Sequence, residues 1–287
     1  MGLTVHTLQL GRAITDSSFF VRGRAPGTLV SAPVNGYLIL GGRVPLVVDT
    51  GYRNADVMAR VGMAVEYRDE NSLEAQLDRH GVAIEEVGAV IATHLHVDHA
   101  GHFDDFPLTT PVVLNRREIE FAASGLQGPG YAPEDLKHLI DRTHTPGGIR
   151  WLDLELTGPV RIAPGVRCEL AGGHTEGSLC VYVETDDGEA CICGDILYDI
   201  QDQVLERLMQ TGALEPQVSN NFATSTRQEL ASIKRVLDRA AYLLPGHDRA
   251  ARVVDGEVVG RVTGLAVPGS VEPLPAEGAY RAPARAR

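Results

Sequence analysis

His94-Leu95-His96-Val97-Asp98-His99 places four side chains able to ligate a metal within six residues. They follow the apolar run Val87 to Thr93, which reads as a buried strand that would deliver them at its carboxyl end. His94 and His96 are two residues apart, so in extended backbone their imidazoles leave the same side. Asp98 and His99 come where the chain is expected to turn into a helix at Ala100-Gly101-His102, and they should point elsewhere, toward a second metal. One histidine in such a place is ordinarily a surface turn residue. Three histidines and an aspartate at this spacing would be costly to bury without a cation. Imidazole and carboxylate together suit borderline divalent ions such as zinc.

Three further positions resemble the cluster: His174 in Gly173-His174-Thr175, Asp195 in Gly194-Asp195, and His247 in Gly246-His247-Asp248. Each follows a glycine at the end of an apolar stretch, where strand-end loops bring side chains to a shared site. Taken singly, each could be a turn residue. Taken with the first motif, they complete the donors for two coordination shells. His6, His80, His138 and His144 are expected outside this cluster, and His102 just beyond it.

The elements that must position these residues are short. Leu3 to Leu10, Asn35 to Leu40 and Pro45 to Asp49 read as strands, with Gly41-Gly42 as a hairpin turn and Asp49-Thr50-Gly51 as a tight loop. Ser72 to Gly81 reads as an amphipathic helix stopped by glycine. A second strand-rich stretch covers Val166 to Leu170, Ser178 to Glu184 and Glu189 to Cys193, turned at Asp186-Asp187-Gly188. Thr226 to Ala240 is the clearest helix, with Leu230, Ile233, Val236 and Leu237 at helical spacing, and it leads into a strand from Tyr242 ending at His247. Two strand-rich halves, each flanked by helices, favour an α/β four-layer sandwich over a doubly wound sheet. One domain over residues 1–267 is expected. Residues 125–148 would form a glycine- and proline-rich insertion holding a helical piece at Pro133 to Asp141, and residues 268–287 a flexible Pro/Ala/Arg-rich tail.

Composition narrows the partners. The chain has 287 residues, and 38 acidic against 26 basic side chains give a formal net charge of -12, poorly suited to phosphate backbones. No nucleic-acid partner is expected. No apolar run approaches a membrane span, and the amino terminus lacks a basic segment followed by an apolar one, so a cytoplasmic location without membrane attachment is expected. Cys168, Cys180, Cys191 and Cys193 lie in strand-like contexts and read as buried thiols rather than a disulfide framework or a zinc half-site.

In the order of these four motifs the sequence resembles the metallo-β-lactamase superfamily, across roughly residues 30 to 250. The resemblance implies an αββα sandwich with the site at one edge between the sheets. It implies that His94, His96 and His174 hold one metal, that Asp98, His99 and His247 hold the other, and that Asp195 bridges them. Zinc is the first choice of ion, with iron, manganese and cobalt open. Two such ions sharing a water lower its pKa and aim the resulting hydroxide at a polarised carbonyl. Asp195-Ile196-Leu197-Tyr198 further resembles the N-acyl homoserine lactonases, the quorum-quenching branch, where a tyrosine three residues after the bridging aspartate lies beside the metals. That branch implies a hydrogen bond from Tyr198 to the substrate carbonyl, and Asp98 as proton donor to the leaving alkoxide.

The resemblance therefore implies a hydrolase that opens a small-molecule lactone, acting as a monomer or homodimer. A thioester hydrolase and a mononuclear iron persulfide dioxygenase are the rival enzymes. A nuclease is disfavoured by charge. Glu176 stands where many members have proline, so a carboxylate is expected near the pocket mouth. Residues 125–148 are expected to form one wall of the substrate pocket, with Phe19 to Ala32 as another. Deleting the insertion should then change substrate preference more than metal content. Asp199 to Phe222 matches no motif.

Overall fold

In the computed structural model, which describes residues 2–205, 215–220 and 224–274, the alternation along the strands determines the layers. The strands run in chain order as β1 Thr4–Asp16, β2 Leu29–Leu40, β3 Leu46–Val48, β4 Ala64–Glu66, β5 Ala89–Ile91, β6 Val112–Asn115, β7 Ile149–Leu152 and β8 Val160–Ala163. They continue as β9 Val166–Leu170, β10 Leu179–Thr185, β11 Gly188–Gly194, β12 Tyr242–Pro245, β13 Ala251–Val254, β14 Glu257–Val262, β15 Ala266–Val267 and β16 Val271–Pro273. One sheet has the order β15-β1-β2-β3-β5-β6-β7, with β4 beside β1, and the other the order β16-β14-β13-β12-β11-β10-β9-β8.

Leu179, Val181 and Val183 of β10 join Ala190 and Ile192 of β11 in the core between the sheets, where they meet Tyr37, Ile39, Val48 and Ile91 of the first sheet. The intervening Cys180, Tyr182, Cys191 and Cys193 face outward and are covered by Ile233, Val236 and Leu237. That period of two is what a sheet buried on both faces requires. Ile233, Val236 and Leu237 belong to the helix Thr226–Arg239, whose first turn is capped by the Ser225 side chain accepting from the Gln228 amide. On the other side Leu38, Val47, Val90 and Val112 pack beneath Leu73, Leu77, Phe121 and Leu139 from the helices Leu73–Asp78, Arg116–Ala123 and Pro133–Thr143. The result is the expected αββα sandwich. All four cysteines are buried and free. No helix among the described residues is long and apolar enough to cross a membrane.

Several expectations need correction. Strand β5 ends at Ile91, before the histidine motif, because the Thr93 amide and hydroxyl donate to the Asp49 carboxylate (2.8 and 2.7 Å) instead of to a neighbouring strand. No helix forms at Ala100 to His102. One turn closes where the His96 carbonyl accepts from the His99 and Ala100 amides (3.0 and 3.3 Å). The chain is then drawn away as the Gly101 amide donates to the Gly51 carbonyl at 2.9 Å. The packing there is tight enough that a Cβ on Gly101 would lie 2.2 Å from the Arg53 nitrogen.

Strand β1 runs on to Asp16 and β2 begins at Leu29, so the end of the expected Phe19 to Ala32 loop, Leu29 to Ala32, is paired strand. The expected tail from residue 268 opens with β16, paired with β14 at Gly260↔Pro273 and Val262↔Val271. Residues 275–287 lie outside the described residues, as do 206–214 and 221–223, which take in much of the unmatched Asp199 to Phe222 stretch.

Candidate metal centre

Each group of donors leaves the carboxyl end of a strand. His94 to His99 follow β5, His174 sits in the β9–β10 turn, Asp195 follows β11, and His247 follows β12. Strands β11 and β12 run parallel with Gly194 beside Pro245, so Asp195 and His247 emerge side by side. Two glycines are there for space. A Cβ on Gly246 would meet Asp195 Oδ1 at 2.8 Å and His99 Cε1 at 3.0 Å. Gly173 has φ 131°, and a Cβ there would press on the Glu229 amide at 2.2 Å.

All seven expected ligands converge. His94, His96 and His174 form one group of mutually close donors, Asp98, His99 and His247 another, and His94, His99 and Asp195 a third. Asp195 Oδ2 lies 3.8 Å from His94 Nε2 and 3.6 Å from His174 Nε2, while Oδ1 lies 3.1 Å from His99 Nε2 and 3.3 Å from His247 Nε2. One carboxylate thus faces both groups. Asp98 stands 3.4 Å from His247 Nε2. The side chains are almost wholly buried, with His94, His99 and His174 fully inaccessible. Yet Nε2 of His94, His99 and His247 and Oδ1 of Asp195 are aimed inward with no directed hydrogen bond. Orphaned buried polar atoms are costly, and a divalent cation at their focus removes the cost. The residues present therefore fit a metal.

Electrostatics divide the site. Burial holds the His94 and His174 imidazoles well below their usual range and lowers His96 as well, so these three are neutral donors. Burial also opposes charge on His99, but Asp195, Asp98 and Asp49 outweigh it and drive that imidazole well above its usual range. His247 is raised in the same way, by Asp195 above all. The Asp195 carboxyl is held far below the carboxylate range, its desolvation overcome by His99 and His247.

Several supporting residues were not singled out in the sequence. Asp49, left-handed at φ 56°, accepts from His99 Nδ1 at 2.9 Å as well as from Thr93. It thereby turns the other ring nitrogen of His99 toward the centre. The available signal was the one used for the ligands, an acidic residue ending an apolar strand. Glu118 is fully buried and accepts from the Leu95 amide (3.0 Å), Tyr131 Oη (3.2 Å) and Thr175 Oγ1 (2.6 Å), so it ties the two histidine loops together. Its carboxyl is raised by burial. In sequence nothing set it apart from Glu120, two residues on in the same helix.

Tyr198 is buried, with its hydroxyl 3.5 Å from His174 Nε2 and its ring stacked on His247 at 5.0 Å and 6°. Phe20 covers both rings, 5.2 Å from Tyr198 and 5.9 Å from His247. Next to them Ala13, Phe19, Val61, Met63, Val97 and Gly130 enclose a cavity of about 20 Å3 that reaches His96, Asp98 and Asp195. Glu176 does not stand at this pocket: it pairs with Arg117 along an outer groove. His102 lies outside the cluster, bonded to Asp105 and the Tyr52 carbonyl (both 3.0 Å). His6 and His80 pack on each other, and His138 bonds Arg142.

A four-layer sandwich carrying a buried His/Asp cluster at one end of both sheets defines a metal-dependent protein class. The chain belongs to the metallo-β-lactamase superfamily, whose family model matches residues 31–247. It is 29% identical over 185 residues to an N-acyl homoserine lactonase of Bacillus cereus, spanning 61% of this chain and 68% of that protein. Among solved structures it is similar to an N-acyl homoserine lactone hydrolase with N-hexanoyl-L-homoserine at its catalytic metal centre. That likeness has a TM-score of 0.67 and 23% identity over 86% of this chain and 94% of the other. AidC, a dizinc quorum-quenching lactonase, is similar with a TM-score of 0.61 at 15% identity over 94% of both chains.

Proposed function

We propose that this chain is a dinuclear metal-dependent hydrolase that opens a lactone ring of the N-acyl homoserine lactone kind. The observation that carries the reading is the convergence of seven buried donors in overlapping groups beside the Tyr198 hydroxyl. His94, His96 and His174 would hold one ion, Asp98, His99 and His247 the other, and Asp195 both. The all-His/Asp donor set makes zinc the first choice. When bound, two such ions supply a nucleophilic water of lowered pKa and an electrophile for the carbonyl.

The residues supply the rest. Tyr198 donates its hydroxyl proton in a hydrogen bond to the carbonyl oxygen as negative charge gathers there. Asp98, on the cavity wall, accepts the proton given up by the attacking water and passes it to the ring oxygen as the acyl C–O bond breaks, and the water oxygen remains on the acyl carbon. Phe19, Val61, Met63 and Val97 offer apolar surface to an acyl chain and keep bulk water away. A cavity of about 20 Å3 holds little more than one water, so Phe20 or its neighbours must yield for substrate to enter. The buried free thiols support a reducing compartment such as the cytoplasm.

Purified protein of measured metal content, offered lactones of several acyl lengths, a panel of thioesters and a persulfide, tests the reading. Lactone opening with two metals per chain is the expected result. Preferential thioester cleavage, or oxygen uptake with one iron per chain, would replace it.

A further inference from the structure

Each imidazole that faces a cation needs its second ring nitrogen settled, because that choice decides which nitrogen offers the lone pair. For His99 the Asp49 carboxylate settles it, and for His247 the Pro33 carbonyl does so at 2.9 Å. For His96 the settling group comes from elsewhere. Gln127 Oε1 lies 2.9 Å from His96 Nε2, while His96 Nδ1 lies 2.9 Å from His174 Nε2, on the side where the donors meet. A carboxamide oxygen only accepts, so it takes the proton on Nε2 and leaves the Nδ1 lone pair facing inward.

Gln127 stands immediately before the short turn Gly128–Gly130, between the helices Arg116–Ala123 and Pro133–Thr143. The same stretch grips the motif twice more. The Gly130 carbonyl accepts from the Val97 amide at 3.0 Å, and the Tyr131 ring lies 4.9 Å from that of His96. Three successive contacts therefore join this covering loop to His96 and its neighbour.

We propose that Gln127 is a positioning residue for the metal centre: it holds His96 in the tautomer and ring orientation that presents Nδ1 beside His94 and His174, so the loop over the pocket sets metal affinity as well as shape. The proposal deepens the dinuclear reading above and rests on it.

The test uses the full chain, stripped of metal and titrated with Co(II) and Zn(II) against a chelator, in three forms: wild type, Gln127→Leu, which keeps bulk without an acceptor, and Gln127→Glu, which keeps an acceptor. Gln127→Leu should lose affinity by about 10- to 100-fold at one of two sites and change the visible absorption of the cobalt-loaded protein, and Gln127→Glu should restore both. Nitrogen-15 NMR of the metal-free wild type should place the His96 proton on Nε2. Wild-type affinities in Gln127→Leu, a loss that Gln127→Glu fails to rescue, or a proton found on Nδ1 would overturn the proposal. A wild-type chain that takes up no divalent ion would overturn the metal reading itself, an outcome distinct from an unaltered Leu variant.

Discussion

Among the described residues, Asp195 is the one whose two oxygens face imidazoles of both groups, at 3.1 to 3.8 Å. Asp195→Ala should therefore lower metal occupancy together with rate, and metal analysis of the purified variant that finds two ions per chain would refute the bridging role. Tyr198 calls for a finer cut. If its hydroxyl donates to the developing oxyanion, Tyr198→Phe should reduce turnover by about tenfold to a few hundredfold, or about 1.4–3 kcal/mol, with metals intact and KM little changed. Near-wild-type turnover on the preferred lactone would leave it a packing residue. Protons enter the balance as well. The surrounding carboxylates raise His99 and His247 above the usual imidazole range, so an entering cation competes with protons held more tightly than on a free imidazole. Metal affinity should fall as pH drops and recover as it rises, which chelator competition at pH 6 and pH 8 measures. These candidate ligands were legible because each broke a local rule, a polar group at the end of an apolar strand. Gln127 broke none, since its role is defined only by what folds against it.

Among the elements, the strands bounded by turn residues were readable, and the one elaborated by long-range pairing was not. Beyond Leu10 and before Asn35, strands β1 and β2 pair on through a mixture of polar and apolar residues, from Arg12↔Pro33 to Asp16↔Leu29, with Ala13 and Val34 fully buried. Strand β16 looked like tail because Pro, Gly and Glu surround it, yet it needs only an open edge on β14. The covering segments are where sequence is least informative. Residues 17–28 fold over the pocket and are fastened by Arg24 to Asp199 at 2.6 Å and to Asp202. Arg24→Ala should loosen this strap by about 1–2 kcal/mol, seen as faster amide exchange across residues 17–28 with metal content unchanged. Replacing residues 125–148 by a short linker should act differently from the sequence expectation. Because Gln127 and Gly130 hold the motif, metal affinity should fall along with the change in substrate preference.

At the scale of the molecule, the inner faces of the two sheets carry the stability. Ile192 is fully buried between them, and Ile192→Ala should cost about 2–5 kcal/mol in denaturant unfolding while the folded fraction still binds metal. The apolar runs of these strands were legible, but not which face lies inward, because Leu179 to Val183 and Ala190 to Cys193 are apolar and buried on both faces. Nor was the way the sheets are joined legible, because β15, from the far end of the chain, completes the first sheet beside β1 at Val5↔Val267. The donors share this divided origin. His94, His96, Asp98 and His99 precede the turn after the helix Leu154–Thr157, and His174, Asp195 and His247 follow it. Leu156 in that helix is 87% exposed, and Gly158 just beyond has φ 68°, so a break in the backbone there disturbs little packing. Two polypeptides cut at this point would each own an incomplete set of ligands. Neither should chelate tightly by itself, and mixing them should restore tight uptake only as the halves dock, making a divalent ion a direct gauge of fragment complementation.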